Sequence, residues 1–144
     1  MKISALLILV LSNTCFAEGI YAGYQLSAFS RGGFIIGYDF DNSNAVEFHL
    51  NGSDFGTTYG VSYKRHYSEM DYLVVGYTTL NYYNYDSDSR TNVYGLNMGV
   101  GHEFGRREEG EWSYPIEIGG GPGYEPAESK WRPLVFFGIG ALYN

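Results

Sequence analysis

The sequence predicts an all-β fold, an eight-stranded antiparallel up-and-down barrel, and three observations lead to this prediction. Bulky apolar residues alternate with small or polar ones along most of the chain after residue 18, which is the period-2 pattern of strands. Clusters of Gly, Pro, Asn, Asp and Ser interrupt this pattern at regular intervals. No segment after residue 18 shows the 3.6-residue period of an amphipathic helix.

Residues 1–17 have the layout of a secretory signal peptide. Lys2 precedes an apolar run over residues 3–11, and the segment closes on a small residue, Ala17. A run of about nine residues is too short for a transmembrane helix, which needs roughly 20. We predict that the chain is exported, that residues 1–17 are removed and that residues 18–144 form one domain.

Charge and cysteine content argue against several classes of function. The formal net charge of −7 makes nucleic acid an unsuitable partner. The one cysteine, Cys15, lies in the predicted signal peptide, so no disulfide and no thiolate nucleophile is expected in the mature chain. Asp86 and Asp88 are too few for a calcium loop, and the histidines lack metal-ligand spacing. We therefore predict neither a metal nor another cofactor.

Turn-forming clusters set the boundaries of the predicted strands. Short clusters such as "SRGG" and "DNSN" separate the first strands, whereas "NYDSDSRTN" and "GPGYEPAESKWR" are longer and predict loops. The strands are predicted at residues 19–29, 33–40, 44–51, 57–67, 71–83, 92–104, 111–121 and 133–143.

Each of the first four strands has one bulky apolar face and one face of small, polar or charged residues. The apolar faces are Ile20, Ala22, Tyr24, Leu26 and Ala28, then Phe34, Ile36, Tyr38 and Phe40, then Val46, Phe48 and Leu50, then Tyr59, Val61 and Tyr63.

The last four strands repeat this division, although the fifth is ambiguous and is assigned by its aliphatic residues. Pro115 removes a ladder hydrogen bond from the seventh strand, and His102 falls on the apolar face of the sixth. The apolar faces are Leu73, Val75 and Tyr77, then Tyr94, Leu96, Met98, Val100 and Phe104, then Trp112, Tyr114, Ile116 and Ile118, then Val135, Phe137, Ile139, Ala141 and Tyr143.

Two architectures accommodate a barrel with faces of this kind. In a soluble barrel the apolar face turns inward, whereas in a membrane barrel it meets lipid and the polar face fills the interior. Aromatic residues near the strand ends favour the membrane barrel because aromatic girdles mark both lipid–water interfaces. We therefore predict a transmembrane barrel. The predicted girdles comprise Phe40, Phe104, Trp112, Tyr114 and Tyr143 at one rim, and Phe34, Tyr59 and Tyr94 at the other.

The small and polar face also suits the interior of a narrow barrel. Glycine makes room there, because eight strands leave a space that side chains just fill. Charges of both signs share this face, and buried charges must be paired. We predict an interior ion network rather than a pair of catalytic carboxylates. Its members are Asp39, Glu47, His49, Lys64, His66, Glu103 and Glu117.

With its signal peptide, eight alternating strands and terminal strand "LVFFGIGALY", the chain resembles the small eight-stranded outer-membrane barrels of Gram-negative bacteria. These are the barrels of the OmpA transmembrane-domain and OmpX type. The resemblance implies an outer-membrane location with periplasmic termini. It also implies contact with membrane lipid and lipopolysaccharide, and with periplasmic chaperones and the barrel-assembly machinery, for which Tyr143 would be the terminal aromatic signal.

The implied topology places the connections after the odd-numbered strands at the cell surface. The two longest mix charged and aromatic residues, a composition that suits recognition of a partner not specified by the sequence. We predict a structural or surface-contact role without catalysis. The predicted contact residues are Tyr85, Asp86, Asp88, Arg90, Tyr124, Lys130 and Trp131.

Three other functions remain open. His66 and Ser68 have the two-residue separation of the histidine and serine in PagL-type lipid A deacylases, in which a histidine base would activate the serine hydroxyl. A narrow channel is the second alternative. The third is a soluble secreted barrel that binds a small apolar ligand inside, which would reverse every facing assigned above.

Overall fold

The computed structural model describes residues 19–29, 33–41, 43–53, 56–84, 88–105 and 110–144. The predicted signal peptide, Tyr85 and Asp86 therefore lie outside the described residues. The described part contains no helix that is long and apolar enough to cross a membrane. The strands are β1 (Gly19–Phe29), β2 (Gly33–Asp41), β3 (Asn44–Ser53), β4 (Gly56–His66), β5 (Asp71–Asn84), β6 (Ser89–Phe104), β7 (Trp112–Glu125) and β8 (Lys130–Tyr143).

The eight strands form a closed antiparallel barrel, which confirms the predicted fold class. Each strand pairs with its neighbours in the sequence, and β1 pairs with β8, for example through Gln25 and Gly140. Closure leaves no free sheet edge around the barrel wall. Short hairpins suffice because every connection joins antiparallel neighbours.

The strand register fixes the tilt of the barrel. Following directly paired residues from Gly19 on β1 through every strand leads back to β1 at Phe29, ten residues further along. This displacement around eight strands corresponds to a strand tilt of about 40° for ordinary strand spacings. At that tilt, a strand of 9–11 residues is long enough to cross a hydrocarbon layer.

The last hairpin differs from the prediction. β7 was predicted to end at residue 121 and β8 to begin at 133, but they extend to Glu125 and from Lys130. Pro122 lies opposite Pro133, and pairing of β6 with β7 is interrupted beside Pro122. Each proline thus takes a position where its missing N–H would point away from the partner strand in this hairpin. The Gly-Pro signal therefore marks a strand interior, and the prediction of a long loop here was wrong.

Pro115 is accommodated in a similar way. It pairs with Glu103 on β6, whereas the pairing of β7 with β8 is interrupted beside it. Two successive ladder positions, 114 with 141 and 115 with 140, are lost, and the strand continues on both sides in the same register. Pro115 is buried and faces the interior.

The predicted facing is also confirmed. Leu26 and Phe34 are each 70% exposed on the outside. Tyr21 and Ile35, which occupy the intervening positions of the same two strands, are buried inside. β5 follows the same rule, which settles its ambiguity. The outward apolar residues include Ile20, Tyr24, Ile36, Phe48, Leu50, Val61, Tyr63, Leu73, Val75, Tyr77, Leu96, Met98, Val100, Ile118, Val135, Phe137 and Ile139.

Large inward side chains pack over glycines of neighbouring strands. A Cβ atom at Gly37 would lie 2.1 Å from Cζ of Tyr21, and one at Gly119 would lie 2.5 Å from Cζ of Phe136. Both glycines are directly opposite the residue they accommodate. Glycine on the polar face therefore provides the room in which the interior is filled.

The barrel wall is taller on one side. β5 pairs with β4 as far as Thr78 but continues its pairing with β6 to Asn84. β8 leaves β1 at Phe136 but continues its pairing with β7 to Lys130. Two long hairpins, β5–β6 and β7–β8, thus project beyond the other four strands, at the end opposite to the chain termini.

Candidate functional site

Lys64 lies at the centre of the barrel interior between two glutamates. Its Nζ atom is 2.8 Å from Oε1 of Glu47 and 2.9 Å from Oε1 of Glu117. All three side chains are at most 1% exposed. The inward faces of β3, β4 and β7 supply them. The ion pairs therefore span the interior and connect opposite parts of the wall.

Two tyrosines complete this arrangement. The Tyr21 hydroxyl donates to Oε1 of Glu47 over 2.9 Å, and the Tyr72 hydroxyl donates to Oε1 of Glu117 over 2.8 Å. Each carboxylate thus receives a phenol and the shared ammonium of Lys64. Such charge-assisted hydrogen bonds offset the cost of burying the charges. We refer to Tyr21, Glu47, Lys64, Tyr72 and Glu117 as the interior network.

Gln25 and His49 extend the interior network. Gln25 donates from Nε2 to Oε2 of Glu117 over 3.1 Å. His49 Nε2 is 3.4 Å from Oε2 of Glu47 and 3.0 Å from Oγ of Ser62. Because the carboxylate and the hydroxyl reach the same ring nitrogen, His49 cannot be oriented by one while it activates the other. The geometry is therefore not that of a catalytic triad.

A second buried cluster lies nearer the chain termini. His66 Nε2 is 3.5 Å from Oε2 of Glu103, and the Ser113 hydroxyl donates to Oε1 of the same carboxylate. Asp39, also predicted for the interior, is 8% exposed there. The structure thus places every predicted interior charge inside the barrel, and brings Glu47, Lys64 and Glu117 into direct contact.

His66 and Ser68 do not form the pair that a deacylase would need. His66 faces Glu103 inside the barrel, whereas the Ser68 hydroxyl lies in the β4–β5 turn and donates to Oδ2 of Asp71 over 2.8 Å. The serine caps its own turn and also accepts from the backbone N–H of Asp71. A nucleophile requires hydrogen-bond contact with its base, and this arrangement provides none.

The predicted girdle residues lie on the outer face, and all but Tyr94 are more than a third exposed. At the terminal end, the Trp112 and Tyr143 rings are 5.2 Å apart, and Phe104 lies against His102. Towards the other end, Phe34 packs edge-on against Tyr24. The remaining members are Phe40, Tyr59, Tyr94 and Tyr114.

His102 keeps the strict alternation of β6 and faces outward, beside the turn that Asp71 closes. Its Nδ1 atom is 2.7 Å from Oδ1 of Asp71. Asp71 lies at the start of β5, outside the apolar belt. The hydrogen bond from His102, and to a smaller extent that from Ser68, holds the pKa of the Asp71 carboxyl below its usual value. His102 is thus a polar residue on the apolar face, and its carboxylate partner, Asp71, lies directly opposite on the adjacent strand.

The predicted surface contacts belong to the projecting hairpins. Asp88 precedes β6, Arg90 lies on β6, and Tyr124 packs against Trp131 across β7 and β8 with 5.4 Å between ring centroids. Lys130 Nζ is 2.8 Å from Oε2 of Glu128. These residues are therefore held on paired strands or beside them, rather than on the long loops that were predicted.

Sequence reasoning missed one buried group in the β7–β8 hairpin. Glu125 is completely buried, accepts from Thr91 over 2.8 Å and binds Nε of Arg132 over 2.7 Å. Arg132 also contacts Glu128 over 3.1 Å. Continuing the alternation of β7 forward to Glu125, and that of β8 back to Arg132, would have placed both on the inward face, but the segment was interpreted as a loop.

A comparison with protein-family models, with curated proteins and with solved structures gives no match. In the described residues, no group of three or more His, Cys, Asp and Glu side chains is arranged to hold a metal ion.

Proposed function

We propose that this protein is an integral outer-membrane β-barrel with a closed interior, whose projecting hairpins contact a partner outside the membrane. The observation that carries the proposal is the outer surface. Large apolar residues cover it on all eight strands, and many are half or more exposed. Isolated soluble proteins rarely present such a continuous apolar surface to water. Lipid is the environment in which this surface is stable.

The interior supports the same proposal. A soluble ligand-binding barrel would place its apolar faces inside, but here the centre holds Glu47, Lys64 and Glu117. Ion pairs and phenols fill the cross-section at this level. An interior of this kind favours a structural role over conduction, because ions would have to displace paired charges that bridge the wall.

The projecting hairpins are the part best suited to recognition. They carry exposed aromatic and charged side chains, including Trp131 at 72% exposure and Lys130. Buried Glu125, the last residue of β7, holds the tip of the β7–β8 hairpin through Thr91 of β6 and Arg132 of β8. A rigid support of this kind presents side chains to a partner at low entropic cost. Lipopolysaccharide headgroups or another surface component are the proposed partners.

Membrane fractionation of the full chain tests the proposal. We expect recovery in the outer membrane and faster gel mobility without boiling than after boiling, because a closed barrel resists unfolding by the detergent. A chain lacking residues 1–17 is the control and should remain inside the cell. Recovery of the full chain in the soluble periplasm, without a mobility shift, would refute the membrane proposal.

Planar-bilayer recording tests the closed interior separately. The purified barrel should give no steady conductance under conditions in which an open porin conducts. Steady single-channel currents that grow with salt concentration would contradict the structural role and favour the channel.

A further inference from the structure

A groove runs up the outer face of the barrel from the β4–β5 turn. Its volume is about 270 Å³, and it crosses strands β6, β7 and β8. Its floor is apolar, because the outward residues there are aliphatic or aromatic. One end is polar, since Tyr67, Asp71 and His102 border it. The remaining lining residues are Val100, Gly101, Ile116, Glu117, Ile118 and Phe137.

The strand register orients this groove. His102 pairs with Asp71 and with Ile116, and Val100 pairs with Ile118, which in turn pairs with Phe137. The apolar floor therefore begins beside the polar end and continues away from the turn, along the outer wall. This is the amphipathic profile of a single lipid whose headgroup lies at the rim and whose chain follows the wall.

The polar end offers charges of both signs. Asp71 accepts from His102 and Ser68 and, as a carboxylate, retains capacity for further donors. His102 is 40% exposed on its side chain and uses Nδ1 for Asp71, which leaves Nε2 for a ligand. Arg65 is exposed on the outer face of β4, paired with Leu73, two residues from Asp71. A carboxylate, an imidazole and a guanidinium thus lie at this rim.

We propose that this groove binds one phospholipid with an amine headgroup, such as phosphatidylethanolamine, from the leaflet nearest the chain termini. One acyl chain lies along Val100, Ile116 and Ile118. The primary amine donates to Asp71 and to Nε2 of His102, and the phosphate accepts from Arg65. The inference depends on the proposed membrane location, and it assigns a function to the polar pair on an otherwise apolar surface.

Lipid retention tests the proposal. The barrel is purified from membranes in mild detergent, and bound lipid is identified by native mass spectrometry. Wild type should retain one phosphatidylethanolamine per barrel. Ile116→Trp, which fills the groove, should lose most of it. Leu50→Trp places the same side chain on the outer face of β3, four strands from β7 and away from the groove, and should retain lipid as wild type does.

Headgroup specificity is tested by exchange in mixed micelles. Wild type should prefer phosphatidylethanolamine to phosphatidylglycerol by about tenfold or more, as expected for one charge-assisted contact. Asp71→Asn should reduce this preference severalfold while leaving the groove unchanged. Equal retention by wild type and Ile116→Trp, or no headgroup preference in wild type, would overturn the proposal.

These outcomes are distinguishable from failure of the membrane proposal. Every variant is first checked for outer-membrane recovery and for heat-dependent gel mobility, which establish a folded barrel. A wild-type barrel that passes both checks but retains no lipid refutes only the lipid site. A chain recovered outside the membrane refutes both proposals.

Discussion

The Tyr72 ring lies over Gly101, the residue directly opposite it on β6, and its hydroxyl donates to Glu117 on β7. Tyr21 repeats this relationship, because it lies over Gly37 and donates to Glu47. Two glycines thus allow two phenols to lie flat against the wall and reach the glutamates on either side of Lys64. The inward glycines and the interior network are therefore parts of one arrangement.

Gly101→Ala should destabilise the barrel. The new Cβ would lie 2.2 Å from Cζ of Tyr72, so the phenol must leave its position and Glu117 loses a donor. We expect a loss of about 1–3 kcal/mol in the free energy of unfolding, as for other overpacked sites. Urea unfolding of the refolded barrel measures it. Gly52→Ala is the matched control, since its Cβ would meet no atom within 4 Å. Equal stability of the two variants would contradict the packing argument.

Lys64→Met should be more damaging than Gly101→Ala. It leaves Glu47 and Glu117 buried without their shared cation, and breaking a buried ion pair in this way costs about 3–5 kcal/mol. The yield of the compact form on an unboiled gel and the urea midpoint both report the loss. Lys130→Met removes an exposed lysine and should leave both unchanged. An unaltered urea midpoint for Lys64→Met would refute a stabilising role of the interior network.

Glu125→Gln should loosen the β7–β8 hairpin without opening the barrel. The neutral amide loses the ion pair with Arg132, worth about 1.5–3 kcal/mol, so local opening should increase on the order of tenfold or more. Trypsin cleavage after Lys130 measures that opening.

Glu128→Gln is the matched control for this hairpin. It also removes an acid that contacts Arg132, but Glu128 is partly exposed, so the effect should be much smaller. Equal cleavage rates in the two variants would show that burial of Glu125 does not support the hairpin.

The Asp71–His102 contact predicts a pH dependence at the rim. Hydrogen bonds lower the pKa of Asp71 in the folded protein, so the ionised carboxylate stabilises the fold. This stabilisation is fully present above the unfolded pKa of about 3.9, and it is lost as the pH falls through the lower pKa of the folded protein. Asp71→Asn should therefore be less stable than wild type at neutral pH, and the difference should shrink in acid. Thermal midpoints between neutral and acid pH measure this. Met70→Leu, an exposed change in the same turn that removes no ionisable group, should show no such convergence. A difference that is constant with pH would contradict the assignment.

Alternation alone predicts much of this fold. It separates Leu73, Val75 and Tyr77 from the inward Tyr72 and Val74, and it holds even at His102, where an apolar residue was expected. The reason is that strand facing depends only on the parity of the position along the strand. Parity also places Glu47, Lys64 and Glu117 on one surface, independently of the contacts between them.

Register and proline chemistry limited the prediction. The contact between Asp71 and His102 depends on how β5 slides along β6, which one sequence does not encode locally. Pro122 was interpreted as a loop residue because a proline usually ends a strand, whereas here it faces Pro133, the first residue of the predicted last strand, within one hairpin. That error concealed Glu125 and Arg132. Parity puts the phenols of Tyr21 and Tyr72 on the inward face, but their contacts with Glu47 and Glu117 also require Gly37 and Gly101 on the neighbouring strands.

The pairing of β1 with β8 has a kinetic consequence. Contacts such as Gln25 with Gly140, and the hydrogen bond from Gln25 to Glu117, join residues far apart along the chain. The loop that they close is nearly as long as the domain, so its entropy must be lost before these contacts form. Until then both terminal strands are unpaired edges prone to association with other chains. Closure should therefore be the slow, all-or-none step of folding, and holding the unclosed chain apart from its copies should raise the yield.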